Sequence, residues 1–392
     1  AQACAQGGFE TTMADLKQDF VDKGMARIRG PLEARVEAGK MTKEQVERIF
    51  SKLKGATDVA KAARDADLVI EAVFENMALK KEVFARLDPV CRAGAIIATN
   101  TSTLDVAEIA SATGRPADVV GLHFFSPAQV MRLLEIVRTR DTADDVLATS
   151  MQLAKKLHKV GVLSANSYGF IGNRMMDPYG REAERLLLEG ATPRRIDDVL
   201  QCFGMAMGIL AVYDMAGIDV GYKVRQEHKD QLPDDASYYR ASSMLVERGW
   251  LGQKAGIGFY RYEKGSRERH DNPEAIDLFA AEALRLGIER RQISDEEIEQ
   301  RCLFAMINEG AKVLEEGVAL RASDIDVVYT SGYGFPRFRG GPMFHADTVG
   351  LGEICARIDG FAERLGRRHW QASGLLRTLA DSGEAIADYS NN

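Results

Sequence analysis

Short apolar runs alternate with helix-period stretches from the start of the chain to about residue 165. Phe9 to Ala14 is a short strand candidate behind Gly7-Gly8, a helix stop. From Phe20 to Leu53 apolar positions recur at helical spacing among alternating charges. Breaks at Gly30-Pro31 and Gly39 make this stretch a helical hairpin. The runs Leu68 to Val73, Ala95 to Thr99, Val119 to Phe125, Leu133 to Val137 and Val160 to Leu163 read as strands. A helix from Thr142 to Leu157 takes Asp141 or Thr142 as its cap. This alternation predicts a largely parallel sheet with helices on both faces.

After about Asn166 the pattern turns helical and repeats. One unit runs from Asn173-Arg174 through Glu189-Gly190 and an Ile196-Asp197 helix start to a glycine-rich turn near Gly204. The other runs from Gln300-Arg301 through Glu316-Gly317 and Ile325-Asp326 to a turn near Gly332. The order of features matches although individual residues differ. Gly265 to Pro273, polar and charged, reads as a linker between them.

Composition narrows the classes. The net charge of -7 gives no reason to expect a nucleic-acid or acidic-membrane partner. No apolar run reaches the roughly 18–20 residues that cross a bilayer, and no secretory signal is visible at the start. The five cysteines are scattered and never form a C-x-x-C pair, which fits reduced thiols in a cytosol-like compartment. The six histidines are equally dispersed, against a metal site. The chain ends Ser390-Asn391-Asn392 without S-K-L, which points to a bacterial-type cytoplasm rather than a peroxisome.

The chemistry concentrates at strand ends. Leu122 to Val137 reads LHFFSPAQVMRLLEIV and sets His123 at the end of one strand and Glu135 inside the next. A histidine oriented by a carboxylate is a general base suited to removing a hydroxyl proton. Glu135 lies in an otherwise apolar strand, so its charge needs a partner, either His123 or an arginine such as Arg132. Ser102 and Asn173 are candidate contacts to a substrate hydroxyl or carbonyl. As plain structure, Ser102 is a helix cap and Asn173 a helix-start residue. Asp15 ends the first strand candidate. In a dinucleotide fold an acid there accepts from ribose hydroxyls and repels a 2′-phosphate, favouring NAD; otherwise it is a turn aspartate. Glu75 and Lys80 follow the Leu68–Val73 strand, near a cofactor crevice or on a solvated helix. The fingerprint G-x-G-x-x-G is absent. Gly256-Ile257-Gly258 and Gly332-Tyr333-Gly334 lack the third glycine and the strand context. Ala1 to Gly7 reads as the back half of the helix that follows such a fingerprint, so the chain is expected to lack its first strand and to bind cofactor poorly.

These residues resemble the L-3-hydroxyacyl-CoA dehydrogenase family, and most closely the C-terminal part of its peroxisomal-type bifunctional members. The likeness runs through DLVIEAVFEN (Asp67–Asn76), ATNTSTL (Ala98–Leu104), the His123 segment, GFIGNRM (Gly169–Met175), GQKAGIGFY (Gly252–Tyr260), INEGAKVLEEGVA (Ile307–Ala319) and GYGFPRFRGGPMF (Gly332–Phe344). The resemblance implies an α/β Rossmann-type domain over 1–165, without its first strand and glycine-rich turn. Two repeated all-α domains then follow at 166–265 and 290–392. It implies His123 as base, Glu135 as its orienting partner, and Ser102 and Asn173 on the substrate. Asp15, Glu75, Lys80, Ser102, Ser126 and Lys254 would lie on the NAD side; the Ser126 position is asparagine in many relatives. Ile209 stands where relatives have proline, whereas Gly341-Pro342 is kept, which bears on packing. The reaction implied is oxidation of an L-3-hydroxyacyl-CoA to a 3-ketoacyl-CoA in fatty acid β-oxidation, with a hydratase domain upstream. Two-domain relatives dimerise through the helical domain, so the second helical copy implies an internal pseudo-dimer and a monomeric protein.

Two other readings remain open at this point. Dehydrogenases of small free hydroxy acids use a lysine as the acid–base group, which the His123–Glu135 pair argues against. A catalytically silent homologue would keep the fold without the pyrophosphate-binding turn.

Overall fold

A computed structural model describes residues 1–390. Asn391 and Asn392, on which the reading of a C-terminal signal falls, lie outside the described residues. The chain forms two compact units, Ala1–Ile171 with Gly317–Leu320, and Gly172–Glu316 with Arg321–Asn392.

The first unit runs α1 (Gln2–Gln6), β1 (Thr11–Ala14), α2 (Gln18–Glu37), α3 (Lys43–Ser51), β2 (Leu53–Ala56), α4 (Val59–Arg64) and β3 (Leu68–Glu71). It continues through α5 (Met77–Leu87), β4 (Ile96–Thr99), α6 (Val106–Ala110), β5 (Val119–Phe124), β6 (Leu133–Arg138), α7 (Asp144–Lys156) and β7 (Val160–Ala165). β1 pairs with β2 in parallel. A separate sheet has the order β3-β4-β5-β6-β7, parallel except where β5 meets β6.

The central strands are apolar throughout because both faces are covered. Ile97, Val119 and Val137 pack on Phe84, Leu87 and Ile109 on one face. Ile96, Ala98, Val120, Leu122 and Ile136 meet Val146 and Leu153 on the other. β3 differs. Leu68, Val69 and Ile70 are only half-buried beside the wholly buried β4, and Phe74 just beyond is 86% exposed.

The structure corrects several local expectations. α2 continues through Gly30 and Pro31, because Val21, Ile28 and Leu32 hold one face in the core on both sides of the proline. β2 escapes the sequence reading, which ends its helical stretch at Leu53; only Leu53 of its four residues is buried, so it carries little apolar pattern. Neither Asp141 nor Thr142 caps α7, whose N-cap is Ala143. Thr142 instead bonds Thr139 and the Val119 carbonyl.

The second unit is helical: α8 (Gly172–Glu189), α9 (Pro193–Phe203), α10 (Ile209–Ala216), α11 (Ile218–Glu227), α12 (Arg240–Glu247) and α13 (Pro273–Arg285). α14 (Asp295–Glu315), α15 (Ala322–Gly332), α16 (Pro342–Val349), α17 (Leu351–Leu365) and α18 (Gly374–Ser382) complete it. The segment expected to be a linker is built into it. Tyr260–Arg261 (β8) pairs antiparallel with His270–Asp271 (β9), and buried Asn272 donates to the Gly258 carbonyl at 2.8 Å.

Two aspartates play matching parts. Asp197 of α9 accepts the first amides of α10, Leu210 and Ala211, at 3.0 Å each. Asp326 of α15 accepts Met343 and Phe344 of α16 at 2.7 and 3.2 Å. Each caps a helix it does not belong to, one turn inside the helix start expected from its Ile-Asp pair. Ile209 and Pro342 open the two capped helices, a position whose N–H has no helical partner, so isoleucine and proline both serve there.

Candidate active site

β5 and β6 set His123 directly opposite Glu135, and facing residues of paired strands project from the same face. Glu135 Oε2 lies 2.7 Å from His123 Nδ1. The glutamate is wholly buried and the histidine 7% exposed. The carboxylate only accepts, so Nδ1 carries the hydrogen and donates, which makes Nε2 the basic nitrogen. Glu135 Oε1 accepts the Ile171 N–H at 3.2 Å. That amide is aimed by Gly169 and Phe170, whose φ angles are 70° and 54°. A left-handed Phe costs about 1–3 kcal/mol and persists where its surroundings fix it. Here its ring lies 5.7 Å from the imidazole, which Phe125 approaches to 4.4 Å.

Glu75 organises the neighbouring strand end. Its Oε1 accepts from the Thr101 hydroxyl at 2.7 Å, the Ser102 N–H at 2.7 Å, the Ser102 hydroxyl at 3.0 Å and the Thr103 N–H at 3.1 Å. Burial opposes its charge, but these hydrogen bonds and the Lys80 ammonium outweigh burial and hold the carboxyl below the usual range. Asn100 ties this turn to the strand that carries His123, since its Oδ1 accepts the Phe124 N–H at 2.8 Å. Ser102 is therefore not a helix cap; Asp105 caps α6.

Lys80 is wholly buried. Its ammonium bonds both Glu71 oxygens at 2.9 and 3.1 Å and lies 3.5 Å from Glu75. Glu71 also accepts from Thr99 at 2.7 Å and from the Val73 N–H at 2.6 Å. Lys80 is thus a buried support beneath Glu75, and not a solvated helix residue. Glu71 escaped the sequence reading, although a carboxylate in an apolar strand marks it as it marks Glu135.

Replacing Glu75 by Ala should free the Ser102 and Thr103 amides to exchange with solvent at least about tenfold faster. One charge-assisted hydrogen bond is worth roughly 1.5–3 kcal/mol. Because the shift at Glu75 is downward, the unaltered turn should keep its protection through the ordinary glutamate range and lose it only at lower pH. Hydrogen exchange followed by mass spectrometry checks both outcomes.

The remaining candidates are more dispersed. Asp15 is exposed just past β1, where it accepts the Leu16 N–H at 2.7 Å. Ser126 is exposed after β5. Asn173 and Lys254 belong to the second unit. Asn173 sits in the first turn of α8 and accepts from the Tyr333 hydroxyl at 2.8 Å, and the Lys254 ammonium bonds Asp219. Phe170, Ile171 and Tyr333 escaped the sequence reading because apolar and aromatic residues carry no local mark of a distant partner.

A profile of the 3-hydroxyacyl-CoA dehydrogenase NAD binding domain matches residues 1–167. One of the 3-hydroxyacyl-CoA dehydrogenase C-terminal domain matches 169–262 and 298–387. The chain belongs to the 3-hydroxyacyl-CoA dehydrogenase family. Its front part is the family's Rossmann-like NAD-binding domain with a parallel sheet, and a helical C-terminal domain follows. The peroxisomal bifunctional enzyme of Danio rerio is 45% identical over 333 residues, 82% of this chain and 46% of that protein. Its Homo sapiens counterpart is 43% identical over 340 residues, 83% and 47% respectively. The chain thus spans about half the length of these relatives. The crystal structure of 3-hydroxybutyryl-CoA dehydrogenase from Escherichia coli K12 matches with a TM-score of 0.82 at 27% identity, covering 97% of this chain and 96% of that one. The dehydrogenase part of multifunctional enzyme 1 from C. elegans matches with a TM-score of 0.68 at 30% identity, covering 96% and 85%.

Proposed function

We propose that the protein oxidises L-3-hydroxyacyl-CoA to 3-ketoacyl-CoA with NAD, as a step of fatty acid β-oxidation. The observation that carries this reading is the buried cross-strand pair of His123 and Glu135 at 2.7 Å. His123 Nε2 takes the proton of the 3-hydroxyl while the hydride leaves C3, and Glu135 stabilises the imidazolium that results. When bound, NAD supplies the hydride acceptor. Ser102 and Asn173 hold the substrate oxygens.

The described residues fit the cofactor at the carboxyl ends of parallel strands. Asp15 offers an exposed carboxylate to the ribose, and Glu75, with Lys80 beneath it, shapes the turn of Ser102. Ser126 and Lys254 complete the proposed cofactor side. The pyrophosphate turn has no counterpart in the sequence. We place a strand and glycine-rich turn between β1 and β3, where each sheet has an unpaired edge among the described residues and β3 leaves its apolar side chains half-exposed.

The helical unit is a duplication in this reading, supported by the paired caps of Asp197 and Asp326 and by one domain profile matching two stretches. The domains are then 1–165, 166–265 and 290–392, the second helical copy stands in for a second subunit, and the protein is a monomer. Bifunctional relatives suggest an accompanying hydratase activity. Relatives are named peroxisomal, whereas we favour a reducing, cytoplasm-like compartment. Among the described residues no helix is long and apolar enough to cross a membrane.

The intact protein should reduce NAD with 3-hydroxybutyryl-CoA at a kcat/KM at least about 10²-fold above that for free 3-hydroxybutyrate, since remote binding energy is spent on orientation. Equal rates with the free acid would reject the acyl-CoA reading.

A further inference from the structure

The first turn of α8 is held at three successive residues by α14, α15 and the residues that end them. The Tyr329 hydroxyl donates to the Gly172 carbonyl at 3.1 Å, and the Tyr333 hydroxyl donates to Asn173 Oδ1 at 2.8 Å. Arg174 reaches Glu309 at 2.8 Å and both oxygens of Glu316 at 2.6 and 2.8 Å. The two tyrosine rings stack with centroids 4.9 Å apart and planes 20° from parallel. A Cβ on Gly172 would lie 2.2 Å from the Tyr333 ring, so only glycine lets this aromatic pair close on the helix start.

We propose that Tyr333 is a positioning residue for the reaction, anchoring the Asn173 amide by its oxygen end. An amide has one accepting end and one donating end of nearly equal shape, and its neighbours decide their order. A hydroxyl can donate or accept, but here it meets Oδ1, so the Nδ2 end, which can only donate, lies on the side of the amide away from the Tyr333 hydroxyl. A donor is what the hydroxyl or carbonyl oxygen of an acyl substrate calls for. The arginine and the stacked rings remove the other freedom, the swing of the turn itself. The positioning group therefore comes from the second helical half and the positioned group from the first, which gives the second half a part in the reaction beyond packing. This inference rests on the substrate role proposed above for Asn173.

The test is a double-mutant cycle in the intact protein with Tyr333→Phe, Asn173→Ala and both together. It reads kcat/KM and, separately, the affinity for acetoacetyl-CoA by calorimetry. Tyr333→Phe keeps the stacked ring and removes only the hydroxyl. It should lower kcat/KM roughly 5- to 10-fold when Asn173 is present, about the worth of one hydrogen bond, and change nothing when Asn173 is already Ala. Equal losses in both backgrounds would mean a merely structural role and overturn the proposal, as would no loss from Tyr333→Phe. An Asn173→Ala protein with unaltered kinetics and affinity would overturn it through its premise. A protein without turnover that binds acetoacetyl-CoA with the two positions coupled would reject the proposed function and uphold the clamp.

Discussion

Replacing His123 by Gln should lower kcat by about 10²–10⁴-fold, the range that positioned general acid–base catalysis supplies. Glutamine is close in size and still offers hydrogen bonds to Glu135, but it cannot take a proton from a hydroxyl. NADH affinity, followed by fluorescence titration, should stay within about twofold, because no cofactor contact is assigned to His123. Glu135→Gln should fall by a comparable factor for a different reason. The Gln amide can donate to Nδ1, which stabilises the tautomer with its hydrogen on Nε2, the nitrogen that must be bare. It also removes the charge that stabilises the imidazolium. The Ile171 N–H keeps an acceptor if the Gln oxygen takes the place of Oε1, so the fold should be less affected than the rate. A fall in kcat of less than about tenfold for His123→Gln would remove the base from the mechanism, whatever else binds.

The pairing of His123 with Glu135 was legible because a charge inside an apolar strand is costly without a match, and the strand before it carries a histidine near its end. The parallel sheet was legible because strands covered on both faces, such as β4 and β5, read as unbroken apolar runs. The sequence carries less where long-range packing overrides local preference. Pro31 marks a break, yet the shared face of Val21, Ile28 and Leu32 carries α2 past it. Leu53–Ala56 has one buried residue and no alternation, so only its pairing with β1 makes it a strand. Lys80 was placed near the right strand, but the face of α5 it occupies was not, and that face buries it against Glu71. The Tyr333 clamp joins positions 160 residues apart, and nothing local in either segment announces it.

Arg301→Met should destabilise the second unit by about 3–5 kcal/mol, the usual cost of removing one member of a buried ionic group. Arg301 is wholly buried on α14. It donates from Nε to Glu182 at 2.9 Å, and from Nη1 and Nη2 to Glu189 at 2.6 and 3.2 Å. Both acids are buried on α8, so the guanidinium joins α8, which carries Asn173, to α14, which carries Glu309 and ends beside Glu316. Burial opposes the charge of Glu189, but Arg301 and then Arg185 outweigh it and hold the carboxyl below the ordinary range. A depressed acid stabilises the fold above its unfolded pKa, and that contribution is lost as pH falls through the folded value. The deficit of Arg301→Met should therefore be largest near neutral pH and shrink on acidification below the glutamate range. Urea unfolding of the intact protein, with the transition of the helical unit followed separately, measures this. Arg185 and Arg291 still reach Glu189 from the half-exposed side, so the loss should sit toward the lower end of the range. The triple replacement Arg301→Met, Glu182→Leu, Glu189→Leu should recover most of it, because an apolar core needs no ionic match. A single variant within about 1 kcal/mol of the parent at neutral pH would mean that water or the outer arginines already satisfy the two acids, and that the hold on the start of α8 lies elsewhere.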